Sequence, residues 1–178
     1  MGPAPEKYVA QIGNLKLLVD EINLDKQRYY VSQLNLENTT AEITMAPAEL
    51  DTTEKPLDIF APLDLRLDNL LLDNIAFKMH TLNQPDADLN LEKIYVEVNH
   101  LLADSSQYSG KIKSLKGVYN ELDNLKDFKT NFSITPQNIA ISSLFAQYGD
   151  SKLNADFDVA FQNLDLLIDS LLFDKINL

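Results

Sequence analysis

Two histidines, His80 and His100, are the only imidazoles in this chain of 178 residues. Each closes an alternating apolar run and neither is accompanied by a nucleophile elbow, so both read as surface side chains rather than members of a catalytic triad. Carboxylates occur two apart at Asp86 and Asp88 and again at Asp156 and Asp158. Such pairs begin a calcium site, but neither has the glycine or the remaining ligands of a calcium loop. Asp156 and Asp158 share one face of a strand, where water is their ordinary partner. The absence of cysteine removes thiolate nucleophiles, disulfides and cysteine-rich zinc sites together. The five glycines form no phosphate-binding pattern. Asn38-Thr39-Thr40 and Asn131-Phe132-Ser133 match the N-glycosylation acceptor, which matters only in a secretory pathway. No enzyme, cofactor or metal is expected from these residues.

Charge narrows the partners. The formal net charge is -12 with a pI near 4.4, and the basic residues are scattered singly. Binding to nucleic acid needs a basic patch, so no nucleic-acid partner is expected, and anionic membrane surfaces are disfavoured for the same reason. No run approaches the roughly 20 apolar residues that span a bilayer. The opening MGPAPEK reads as a cloning junction, so residues 1–12 are expected to be a junction or disordered start, and 13–178 a single segment of a longer protein.

What must position these side chains is a set of short strands. In LDLRLDNLLLDNIAFKM, Leu63 to Met79, apolar residues alternate, slip by one, and alternate again: Leu63, Leu65 and Leu67, then Leu70 and Leu72, then Ile75, Phe77 and Met79. A helical stripe through Leu63, Leu67 and Leu70 lands next on Asn74, so a strand fits better. In a strand, a step of three sends the next residue to the opposite face unless a bulge or corner absorbs it. Asp68-Asn69 and Asp73-Asn74 suit such corners, because Asx side chains bond their own backbone and tolerate unusual dihedrals. The result is a sheet that curls while keeping one face apolar. Similar runs recur from Leu15 to Met45 and from Leu89 to Phe161, while Tyr29-Tyr30 reads as packing. A proline-rich, acidic stretch near 46–62 reads as a long loop between two similar halves, and 163–178 fits an amphipathic helix before a final strand.

The intervening positions, among them Asp64, Arg66, Asn90, Glu92, Glu97, Lys129, Asn131, Asn154, Asp156 and Asp158, are polar, as expected of a sheet wet on one side. With almost no helix to cover it, the apolar face has two solutions: it folds on itself as a closed β-sandwich, or it stays open as a trough occupied by an apolar guest.

The repeated units LNLENTTAEI, LRLDNLLLDNIAF and LNLEKIYVEV, followed by NFSITPQNIAISSL and SKLNADFDVAFQNL, resemble the TamB branch of the AsmA-like envelope proteins of Gram-negative bacteria. The likeness runs from about Gly13 to Phe161 as a texture rather than a fixed signature. It implies an all-β fold, an elongated, curled, mainly antiparallel sheet (a β-taco or half-pipe) with an apolar concave face. It further implies a section of a periplasmic hydrophobic conduit that moves phospholipid between inner and outer membrane and supports outer-membrane biogenesis. The full-length protein would be anchored in the inner membrane and meet an outer-membrane barrel protein through parts absent here.

On that reading phospholipid acyl chains lie against Leu65, Leu67, Leu70, Leu72, Phe77, Leu89, Leu91, Val96, Phe128, Phe132, Leu153, Phe157 and Val159. On the order of ten strands about 4.8 Å apart would give a trough of about 50 Å. The alternative from another class is a β-rich scaffold for outer-membrane protein assembly that pairs client strands at its edges without carrying lipid.

Overall fold

The computed structural model describes residues 7–45, 63–82, 88–120 and 123–161. Nine strands form one sheet: β1 (Lys7–Gln11), β2 (Asn14–Asn23), β3 (Arg28–Met45), β4 (Asp64–Thr81), β5 (Leu89–Ala103), β6 (Tyr108–Tyr119), β7 (Asp123–Thr135), β8 (Asn138–Tyr148) and β9 (Ser151–Ala160). Lys7–Gln11 is thus a paired strand, although the sequence placed it in a junction or disordered start; its run is too short to declare itself without its partner. The loop expected near 46–62, Asp86 and the tail 163–178 lie outside the described residues.

From β4 to β9 each strand pairs antiparallel with the next. β1 and β2 share one side of β3, and β3 pairs with β4 in parallel. The two halves read from the sequence are therefore one sheet joined by its single parallel pair among the described strands. Extensive contacts run only between hydrogen-bonded neighbours, and no described side chain is fully buried. The sheet is open and curled rather than a closed sandwich. Eight strand positions about 4.8 Å apart span about 35 Å, shorter than the trough read from the sequence because β1 and β2 occupy one position.

The slips in the apolar pattern explain how the sheet curls without mixing its faces. Val31 to Leu34 on β3, Leu67 to Leu70 on β4 and Val98 to Leu101 on β5 are all steps of three. They lie side by side, with Val31 and Leu101 opposite Leu67, and Leu34 and Val98 opposite Leu70. The second corner, Leu36 to Thr39, runs beside Leu72 to Ile75. There β5 turns one pair later than β4, and the register shifts on either side of Ile75 cancel, so that Phe77 again faces Leu91. Neighbouring strands turn together, and the apolar set never changes face.

Left-handed residues mark these corners. Asn38 (φ 50°), Asn74 (φ 54°) and Lys93 (φ 52°) fall on adjacent strands, with His100 (φ 52°) and Ser143 (φ 55°) at others. Asparagine takes this conformation at low cost, and Asn74 Nδ2 donates to Asn38 Oδ1 at 2.7 Å. Asp68-Asn69 contains no left-handed residue; His100 supplies it from β5, while Asn69 donates to the Ser32 carbonyl and accepts from Asn99 Nδ2 at 3.0 Å. Between β1 and β2, a Cβ on Gly13 would lie 2.5 Å from the Asn38 carbonyl oxygen, so only glycine lets the chain pass this corner.

Replacing Asn74 tests the corner. Asn74→Val puts a β-branched residue at positive φ and removes the bond to Asn38, and should cost about 2–3 kcal/mol in chemical denaturation. Asn74→Gly, which keeps the backbone conformation, should cost about 1 kcal/mol or less. Equal losses would mean that the left-handed turn is not what Asn74 supplies.

Candidate functional site

Register places all thirteen sequence-predicted lining residues on one face. Leu65, Leu67, Leu70, Leu72 and Phe77 of β4 stand opposite Ala103, Leu101, Val98, Val96 and Leu91 of β5, and Leu89 stands opposite Met79. Val96 continues to Leu115, and Leu115 to Phe128. Phe132 meets Ile141, which meets Phe157; Ile139 meets Val159, and Ala146 meets Leu153. On the other side the face runs through Leu34 and Leu36 of β3 to Leu17 and Leu15 of β2. The apolar face is continuous over all nine strands.

Burial on this face is graded. Its middle, on β4 and β5, holds the described apolar residues that are most sheltered, with Leu67 7% and Val98 8% exposed, joined by Ile75 and Ala103. Its margins are wet: Leu153 is 54% and Phe157 45% exposed, and Leu15, Leu17 and Ile22 are exposed on β2. The curl shields only the floor. Leu67 therefore serves as core, whereas Leu153, Phe157 and Val159 present their surface outward. The lining residues that the sequence analysis left off, Ile75, Ile94, Val98 and Ile112, belong to the same alternating phase and were legible in it.

The opposite face is less uniformly polar than its pattern suggested. Leu71, Leu102 and Phe145 lie on it, beside Glu97, Arg66 and Lys129 respectively, and Lys129 Nζ sits 5.9 Å from the Phe145 ring centre. The long basic side chain of Lys129 thus lies over the apolar surface of Phe145. The chain's only two arginines meet here. Arg28 Nε donates to Asp64 Oδ2 at 3.1 Å, the Tyr30 hydroxyl donates to the same oxygen at 2.9 Å, and Arg66 stacks over the Tyr30 ring at 4.5 Å. The hydrogen bond from Arg28 to Asp64 raises the guanidinium's pKa further, while partial desolvation raises that of the Tyr30 hydroxyl. Sequence reading took Tyr29-Tyr30 as packing; that describes Tyr29, opposite Leu65, and misses the charged partners of Tyr30, because β3 and β4 are distant in sequence.

The residues first considered for chemistry occupy structural positions. His80 Nδ1 pairs with Asp88 Oδ2 at 2.9 Å, a bond that holds the Asp88 carboxyl below its usual range. His100 turns the corner of β5. Asp156 Oδ1 accepts from the Ser143 backbone N–H at the β8 corner, and Asp158 accepts from Asn138. Glu97 accepts from Lys113 Nζ at 2.8 Å and from the Tyr95 hydroxyl at 3.3 Å; the lysine holds its carboxyl below the usual range.

No protein-family model, no curated protein and no solved structure matches this chain.

Two outcomes are expected. In chemical denaturation Leu67→Ala should cost about 2–4 kcal/mol, while Leu153→Ala should cost less than about 1 kcal/mol because much of that side chain is already wet. Glu97, with its pKa depressed on folding, contributes stability above its unfolded value that is lost as pH falls through its folded value. The melting-temperature advantage of wild type over Glu97→Gln should therefore be whole at pH 7 and shrink as pH falls below the ordinary glutamate value of about 4.3 and on through the lowered folded one. A gap that stays constant across this range would remove the Lys113 pair from the account.

Proposed function

We propose that this domain is a section of a hydrophobic conduit that carries phospholipid between the inner and outer membranes across the periplasm. The observation that carries the reading is the uninterrupted apolar face, open to solvent at its margins and covered by no other described element. Monomers rarely leave apolar patches beyond a few hundred Å² uncovered, so a face of this extent calls for an apolar guest. An acyl chain reaches about 15 Å, half the hydrocarbon core of a bilayer, and fits within a trough about 35 Å long. The polar outer face would meet the aqueous periplasm, and head groups would stay at the open rim. Such transfer asks for no bond making or breaking, only for a lining without interruption. The resemblance to the TamB branch of AsmA-like envelope proteins supports the same assignment, with membrane attachment and contact to an outer-membrane barrel supplied by other parts of a longer chain.

A second reading is favoured by one observation. Among the described residues β9 pairs on one side only, with β8, and it carries exposed Leu153, Phe157 and Val159. A client strand could pair with that edge by β-augmentation, making the domain a scaffold for outer-membrane protein assembly.

Detergent-free purification followed by organic extraction and mass spectrometry separates the two. The conduit predicts phospholipid near one equivalent or more, and Leu72→Arg should reduce it several-fold in a protein that remains folded by circular dichroism. Ala155→Pro in β9 should leave the lipid unchanged. A lipid-free, monodisperse, folded wild type would sink the conduit and leave the scaffold.

A further inference from the structure

Two glycines stand on the apolar face of β6, and they differ in what replaces their side chains. Gly110 lies opposite Phe132, and a Cβ built on it would come within 3.1 Å of that ring. The ring fills the space that the glycine leaves. Gly117 lies opposite Leu125, and a Cβ there would meet nothing closer than 3.8 Å. Its φ is not positive, so the backbone does not demand glycine either. A glycine inside a strand weakens it, through the extra freedom of the unfolded chain and the missing contacts. Neither packing nor conformation accounts for this one.

What Gly117 leaves is a dimple of about 300 Å³ in the trough face, walled by Leu91, Leu115, Leu125, Tyr119 and Tyr148. Among the described residues along it the one charged side chain, Lys116, sets its ammonium 5.5 Å from the ring centre of Tyr95, a residue paired with it across the sheet. The Tyr95 hydroxyl bonds Glu97 on the polar face, so the ammonium lies on that side. In a chain of net charge -12 this pocket has an aliphatic and aromatic lining.

We infer that the Gly117 dimple seats the end of a single aliphatic chain. This deepens the conduit reading and rests on it. Among the described residues the dimple's walls are aliphatic and aromatic, with the Lys116 ammonium set over Tyr95, and such walls favour a hydrocarbon over a charged head group, which would lose water there. Size selects further. The volume is about twice that of a 150 Å³ cavity that takes up benzene and stands at the lower end of small-molecule sites, roughly 300–1,000 Å³. It admits one chain end and excludes a whole two-chain lipid. The dimple lies at the end of β6, near the start of β7 and the end of β8, at one rim of the trough. A chain seated there would have its motion along the apolar face arrested at a defined place.

The probe is palmitic acid bearing a diazirine at its methyl end, photolysed on the purified domain and mapped by peptide mass spectrometry. Labelling should concentrate on peptides containing Leu91, Leu115, Leu125 and Tyr148. Gly117→Val, a residue suited to strands, should lower that labelling at least fivefold while the melting temperature stays level or rises. Gly117→Ala, whose added methyl has room, should lower it about twofold and serves if valine disturbs the fold. Undiminished labelling in a folded valine variant would overturn the seat. Labels spread evenly over the trough would overturn it too while leaving the conduit standing. No label anywhere on a folded wild type would remove both and point to a protein side chain as the occupant.

Discussion

The structure depends on one constraint: neighbouring strands must turn at the same height. Side chains alternate with period two, so a corner that consumes an odd residue in one strand alone would send the rest of that strand's apolar residues to the wet face. Val31, Leu67 and Leu101, followed by Leu34, Leu70 and Val98, show how this is met between β3, β4 and β5. Where β4 and β5 fall out of step near Ile75, a second shift restores the pairing before Phe77. Curl and one-sidedness are therefore the same property. The sheet bends because its corners are aligned, and it stays apolar on one side for that reason.

A sheet built this way lacks the usual source of stability. Only Leu67, Ile75, Val98 and Ala103 among the described apolar residues are well sheltered, and all lie on β4 and β5. Strands farther out depend on ladder hydrogen bonds and on polar ties to their neighbours, such as Lys113 with Glu97, Ser114 with Asp127, and Asp156 with the Ser143 backbone N–H. An exposed pair such as Lys113 with Glu97 is by itself worth little. An apolar occupant of the trough would stabilise the folded sheet by mass action, which makes binding and folding two views of one equilibrium.

Much of this was legible in the residues. Alternation named the strands and the thirteen lining positions, because one face of a one-sided sheet writes itself into every second residue. The corner at Asp73-Asn74 was readable because asparagine is used where φ is positive, and Asn74 sits there. The corner at Asp68-Asn69 was readable as a slip, but its left-handed residue is His100 on the facing strand, and a histidine carries no such signal. Long-range pairing was the larger gap. Nothing local in Arg28, Tyr30 or Asp64 reveals their cluster, nor does the pattern say that β3 and β4 run in parallel. The short strand β1 owes its existence to β3 and is invisible without it. The dimple was hidden for the opposite reason, since a glycine in a strand reads as a weakness until its surroundings are seen to be empty.

The parallel pair has a consequence in time. Each β3 residue in register with β4 meets the one 36 positions later, from Arg28 with Asp64 to Met45 with Thr81, whereas β4 to β9 form a meander in which each strand follows its partner directly. Closing loops of that length precedes any reward from the contacts, while hairpins form early. Topology thus divides the sheet into two pieces, a meander of six strands and a smaller unit of β1 to β3, joined along one seam of non-local contacts. That seam lies between Leu36 and Leu72, beside the most sheltered strip of the trough. The apolar face is continuous only when that seam is closed, so either piece alone carries a narrower apolar strip than the whole sheet.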